Sequence, residues 1–103
     1  MNLFTCKIDR WGIVSIALNI ASVAINTTAE QTFTIQGLQT GDMVFVNKPS
    51  LNAGLGIVNA RVSDANTLAI TLVNATGAAI DPGSETYLVL WIRPERTQSI
   101  AQE

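Results

Sequence analysis

Lys48 and the triplet Gly54-Leu55-Gly56 share one short run, VNKPSLNAGLGIVNARV, residues 46–62. A lysine beside Gly-x-Gly can cradle phosphate, if backbone N–H groups converge and a helix N-terminus adjoins them. The spacing argues against that chemistry. The lysine precedes the glycines, and the pattern is neither G-x-G-x-x-G nor G-x-x-x-x-G-K-S/T. The adjoining run, Ile57-Val58-Asn59-Ala60-Arg61-Val62, reads as a strand. The whole stretch therefore reads as strand, crossover, strand. Pro49 ends one ladder, and Gly54 and Gly56 turn the chain into the next sheet. A loop of this size at the end of a sheet can touch a neighbour, so Lys48, Asn52 and Leu55 are candidates for protein contact.

The remaining chemistry-bearing residues are sparse. Asp42, Asp64, Asp81 and Glu85 stand in or beside turns, and none are spaced as in a calcium loop or a glycosidase pair. No metal site is expected. The chain has no histidine, which removes Ser–His–Asp and Cys–His arrangements. Cys6 is the single cysteine, so it makes no intrachain disulfide and reads as a small buried hydrophobe. Two Asn-x-Thr sequons, Asn26-Thr27-Thr28 and Asn74-Ala75-Thr76, read as ordinary turn chemistry. The expectation is a protein that is not an enzyme, with no cofactor and no small-molecule substrate.

Composition bounds the partners. The 103 residues suffice for one domain and one core. Charged residues make up 14% against a usual value of about 25%. Such a weakly charged surface suits a protein that lives against other proteins. Net charge is −2, and no basic run is interleaved with aromatics, so nucleic acid is not an expected partner. Half of the charges lie in the end segments: Lys7, Asp9, Arg10, Arg93, Glu95, Arg96 and Glu103. The first 24 residues mimic a signal peptide, yet Asp9 stands in the charged part, and Ser15 and Asn19 interrupt the apolar run. The segment is expected to be retained, and it is too short to span a membrane.

The elements that must position these residues show period two and no sustained helical period. Val14, Ile16, Leu18 and Ile20 alternate with Ser15, Ala17, Asn19 and Ala21; the phase then slips, which predicts a bulge or corner near Ala21-Ser22. Phe33 and Ile35 are expected inward, as are Leu68, Ile70 and Leu72. Val58, Ala60 and Val62 are expected on one face, with Asn59 and Arg61 opposite. Ser63-Asp64-Ala65-Asn66 predicts a four-residue hairpin loop. Pro94 should stop the last strand. The expected fold is all-β: an antiparallel β-sandwich of about six or seven strands in a single domain. The expected layout is an N-terminal segment (1–13) that can act as a docking arm, a sandwich (14–94) and a polar tail (95–103).

Two runs, Met43 to Val46 and Tyr87 to Ile92, are apolar in both phases. A sandwich covers only one face of each sheet. Something must cover the other: the N-terminal segment with Leu3, Phe4 and Trp11, or another subunit. Phe45, Tyr87 and Trp91 are the expected aromatic anchors. The polar ends add Arg10, Arg93 and Arg96 as expected contacts to a neighbour.

Residues 27–94 also carry a recurring punctuation: the turn Gly37…Gly41-Asp42, an apolar strand leading to a proline loop, Gly-Leu before a strand, ARVSDANTLAITLVNATGAAIDP, and a closing TYLVL-x-IR. This punctuation resembles a small β-sandwich module of tailed bacteriophages, found among virion structural proteins such as head decoration or cement proteins. The resemblance implies a homotrimer on the outer surface of the phage head. There it would bind across major capsid protein subunits and stabilise the expanded shell. A tail, baseplate or fibre module, or a carbohydrate-binding attachment domain, are the alternatives.

Overall fold

The structure is a computed structural model and describes residues 7–95. Six strands run in order: β1 (Ile8–Ile20), β2 (Thr27–Thr34), β3 (Met43–Asn47), β4 (Leu55–Asp64), β5 (Thr67–Asn74) and β6 (Gly83–Pro94). They form two three-stranded antiparallel sheets, ordered β1-β6-β3 and β2-β5-β4. The sheets pack as a sandwich and form a single domain. Only β4 and β5 are joined as a hairpin within one sheet. Every other connection crosses between sheets, so the crossing loops set where the layers sit.

The expected all-β sandwich is what forms, with six strands. Each inner face arises from strict alternation, because successive side chains point to opposite faces. Leu18 and Ile20 of β1, Val44 of β3, Leu68, Ile70 and Leu72 of β5, and Tyr87 and Val89 of β6 make the buried core. Leu55 at the start of β4, and Val23, Ile35 and Leu38 on connecting segments, complete it. At about 25 cal/mol per Å² of apolar surface, this burial is the main favourable term of folding.

The phase slip after Ile20 is a corner. Val23 leaves the strand yet bridges to Ile80 through two backbone hydrogen bonds of 2.8 and 3.1 Å. Asn74 holds this corner. It is fully buried, and its amide donates to Val23 O (3.0 Å) and Ala78 O (2.8 Å). Its Oδ1 accepts from Thr76 N (2.9 Å) and Thr76 Oγ1 (2.7 Å). All four valences of the amide are used, so the sequon Asn74-Ala75-Thr76 is turn chemistry.

Some boundaries and faces differ from expectation. β1 starts at Ile8 because Ile8 through Ile13 continue the ladder along β6, so the expected division after residue 13 falls inside a strand. β6 starts at Gly83, four residues before its apolar run. The β4 pairing skips Val58, and this bulge leaves Val58 exposed while Ile57, Ala60 and Val62 pack inward. The β4–β5 turn is shorter than the four residues expected, with Asn66 at φ 60°. Pro94 does end β6.

Replacing Asn74 by alanine removes all four of its side-chain hydrogen bonds and leaves the Thr76 N–H without its acceptor, while Val23 O keeps Ile80 N and Ala78 O keeps Thr76 Oγ1. We expect a loss of about 3 kcal/mol and a melting midpoint lowered by more than about 10 °C. Urea unfolding of Asn74→Ala checks this; a loss under about 1 kcal/mol would contradict the role given to the amide.

Candidate functional site

In the β3–β4 loop the lysine is held by internal hydrogen bonds. Lys48 Nζ donates to Glu85 Oε1 (2.7 Å), Asn52 Oδ1 (2.6 Å) and Ser50 O (2.9 Å). Ser50 Oγ donates to the other Glu85 oxygen. A lysine ammonium has three N–H donors, so none is left for phosphate or a partner. Lys48 and Asn52 thus tie the loop to the start of β6. Hydrogen bonds from Lys48, then Ser50, hold the Glu85 carboxyl below its ordinary value. Gly54 performs the turn: it lies at φ 83°, and a Cβ there would collide with Thr76 Cγ2. Gly56 does not share that task; it is a paired residue of β4 opposite Val73.

At the other end of β6, Arg93 forks onto Asp42. Nε donates to Oδ1 and Nη2 to Oδ2, both at 2.8 Å, and Nη2 also donates to Gly37 O at 2.9 Å. Gln39 N adds a bond of 2.9 Å to Asp42 Oδ2. Asp42 is buried, and its pKa is lowered, first by the Arg93 hydrogen bonds and then by Gln39 N–H, against the cost of burial. The guanidinium also lies 5.3 Å from the centre of the Trp91 ring. Trp91 in turn lies over Gly12, where a Cβ would come within 2.9 Å of the indole nitrogen. Arg93 thus ties the Gly37–Asp42 turn to the sheet, with Trp91 beneath its guanidinium.

Two expected anchors belong to the core. Leu55 and Tyr87 are buried, because both fall on the inward phase of their strands. They take no part in the surface. Among the described residues the Tyr87 hydroxyl finds no well-formed hydrogen bond, and burial, with the charge of nearby Glu85, pushes its pKa up to about 12. Leu3, Phe4 and Arg96 lie outside the described residues. Arg10 is exposed and lies 3.5 Å from Asp9.

The surface that remains is the outer face of β1-β6-β3. The register aligns Trp11, Ile92 and Met43 in one row and Ile13, Leu90 and Phe45 in the next. The third row is Ser15, Leu88 and Asn47. Trp11 is 65% exposed, Ile13 64%, Met43 52%, Phe45 51% and Leu88 46%. No charged side chain stands in these rows. The outer face of β2-β5-β4 is the opposite case: Glu30, Thr71 and Asn59 align in one row and Thr32, Ala69 and Arg61 in the next. Arg61 grips Glu30 there at 2.8 and 2.9 Å. One outer face is made for water and the other is not.

Phe45 and Trp11 are legible in the sequence as surface candidates. Ile13, Met43, Leu88, Leu90 and Ile92 are not, because a run apolar in both phases does not say which phase faces out. Among the described residues, no three of His, Cys, Asp or Glu gather as a metal site. Comparison with family models, curated proteins and solved structures yields no match to this chain.

Two measurements test the buried groups. Tyr87 is the sole tyrosine, so tyrosinate absorbance reports it alone. In the folded protein it should titrate near pH 12. Because its folded pKa is raised, the stability it contributes is whole below pH 10 and lost as pH climbs towards 12. Tyr87→Phe should cost nothing or stabilise by up to about 1 kcal/mol, since the hydroxyl has no well-formed bond to lose. Destabilisation by that variant would count against the description.

Asp42 works in the reverse sense. Its folded pKa is depressed, so its contribution is whole above the ordinary value of 3.8 and is lost as pH falls below it through the folded value. Thermal unfolding between about pH 6 and pH 2 should show this acid limb, and Asp42→Asn should flatten it. An acid limb unchanged in Asp42→Asn would assign the loss to other carboxylates.

Proposed function

We propose that the protein is a non-catalytic structural component of a bacteriophage particle, a capsid decoration protein that bridges major capsid subunits and stabilises the expanded head. The observation that carries a binding role is the uncharged, apolar outer face of β1-β6-β3. The polar clusters whose residue types suggest catalysis are spent within the fold, on Lys48–Glu85 and Asp42–Arg93. The phage assignment itself rests on the resemblance of residues 27–94.

The residues behind that resemblance also have physical roles. Gly37 and Gly41 lie at φ 101° and 97°, and Asp42 receives the fork of Arg93 from the closing TYLVL-x-IR. The punctuation is thus a clamp between one turn and the central strand. Two sheets sharing one core, with long antiparallel ladders, resist local unfolding under load. Many weakly held copies around a shell bind by avidity, so each contact need not be strong.

Quantitative mass spectrometry of purified particles, with a reconstruction locating the density, tests the proposal. A copy number that tracks the capsid subunits, with density on the outer head, is expected. A copy number set by tail symmetry would overturn the assignment in favour of a tail or fibre module.

A further inference from the structure

We infer that the outer face of β1-β6-β3 is covered by the same face of another copy of this chain. The inference holds whether or not the protein sits on a capsid.

The face itself argues for this occupant. Trp11, Ile13, Met43, Phe45 and Leu88 are each between 46% and 65% exposed. Side chains of this size offer about 150–250 Å² each, so their exposed parts sum to roughly 500–600 Å². That is at the upper end of the largest apolar patch on a soluble monomer. Two copies stacked face to face would remove roughly 1,000–1,200 Å², which reaches the lower bound for specific association before Leu90 and Ile92 are added.

The chemistry of the face narrows the partner. Surfaces that meet a foreign partner only transiently must stay soluble alone, and they keep about the polarity of the rest of the surface. Permanent contacts between identical copies are more apolar and resemble a core cut in half. Three successive rows here carry seven apolar side chains, two polar ones (Ser15 and Asn47) and no charge. The chain has little charge elsewhere to keep such a face dispersed, at 14% of residues.

The geometry fits as well. Three paired strands present a surface of regularly spaced side chains, and two such surfaces stack about 10 Å apart, as the two layers of a sandwich do. Stacking outer face on outer face repeats between copies the packing that already exists within one. It also explains why β6 is apolar in both phases: its inner phase fills the chain's own core and its outer phase fills the shared one. The outer face of β2-β5-β4, with its Glu30–Arg61 pair, stays in solvent.

The test is the solution mass of the full chain, by sedimentation equilibrium over a wide concentration range. It is run for the parent, Phe45→Glu, Ile13→Glu and the control Thr32→Glu on the polar outer face. Far-UV circular dichroism confirms strand content in each. The parent and Thr32→Glu should show a multiple of 11.0 kDa. Phe45→Glu and Ile13→Glu should each weaken association at least about thirtyfold and keep the strand spectrum.

A parent mass of one chain at every concentration overturns the inference. If Phe45→Glu then lowers the melting midpoint of that monomer, the chain's own terminal residues cover the face. If it does not, the cover is a foreign partner. An oligomer that persists in both glutamate variants overturns it too, by placing the contact elsewhere.

Discussion

β6 is apolar in both phases, and the architecture depends on that. As the central strand of its sheet it must pair on both edges, with β1 and with β3. Its inner phase, Tyr87, Val89 and Trp91, supplies the core opposite β5. Of its outer phase, Leu90 and Ile92 are flanked by apolar residues of both neighbours, and Leu88 by Ser15 and Asn47. Strand geometry offers no way to bury both sets within a two-layer fold. A second hydrophobic surface is therefore a consequence of the strand itself, and it gives the molecule two unlike sides.

The polar residues do a different job. All connections but the β4–β5 hairpin cross between sheets, which leaves loops whose backbone groups need partners. Asn74 satisfies the corner at Val23 and the turn at Thr76–Ala78. Lys48, Ser50, Asn52 and Glu85 fasten the β3–β4 crossing to β6. Asp42 and Arg93 fasten the β2–β3 crossing to the far end of the same strand. Each cluster looks like chemistry when read as residue types. Each is committed largely to internal hydrogen bonds, which fix loops in place. The cost of leaving such buried groups unpaired keeps them in place.

Much of the fold is legible in the sequence because strands announce themselves by alternation. The inward sets Leu18/Ile20, Leu68/Ile70/Leu72 and Phe33/Ile35 are readable, as are the corner after Ile20 and the stop at Pro94. The extension of β1 back to Ile8 is not, since its charged residues face solvent and only pairing with β6 reveals the strand. The bulge at Val58 is equally hidden, because the choice of which residue to skip belongs to the β4–β5 register. On the surface, Trp11 and Phe45 can be picked out from residue type and run. Tyr87 reads as a surface anchor and is a core residue, and Leu55 reads as a loop contact although its side chain closes the core.

The sequence alone determined the class of structure: alternating short apolar runs, punctuated by Gly, Asn, Asp and Pro, make strands that must pack in layers. It also determined that two runs held more apolar surface than one core can use. Which phase of those runs faced inward was decided only by the tertiary structure. Period two leaves both phases equivalent until the neighbouring strands fix the register, and a slip of one residue exchanges the faces. The partners of Lys48, Asp42 and Asn74 were decided there as well. Their bonds reach 37, 51 and 51 residues along the chain, to Glu85, Arg93 and Val23, and no local pattern encodes contacts of that span.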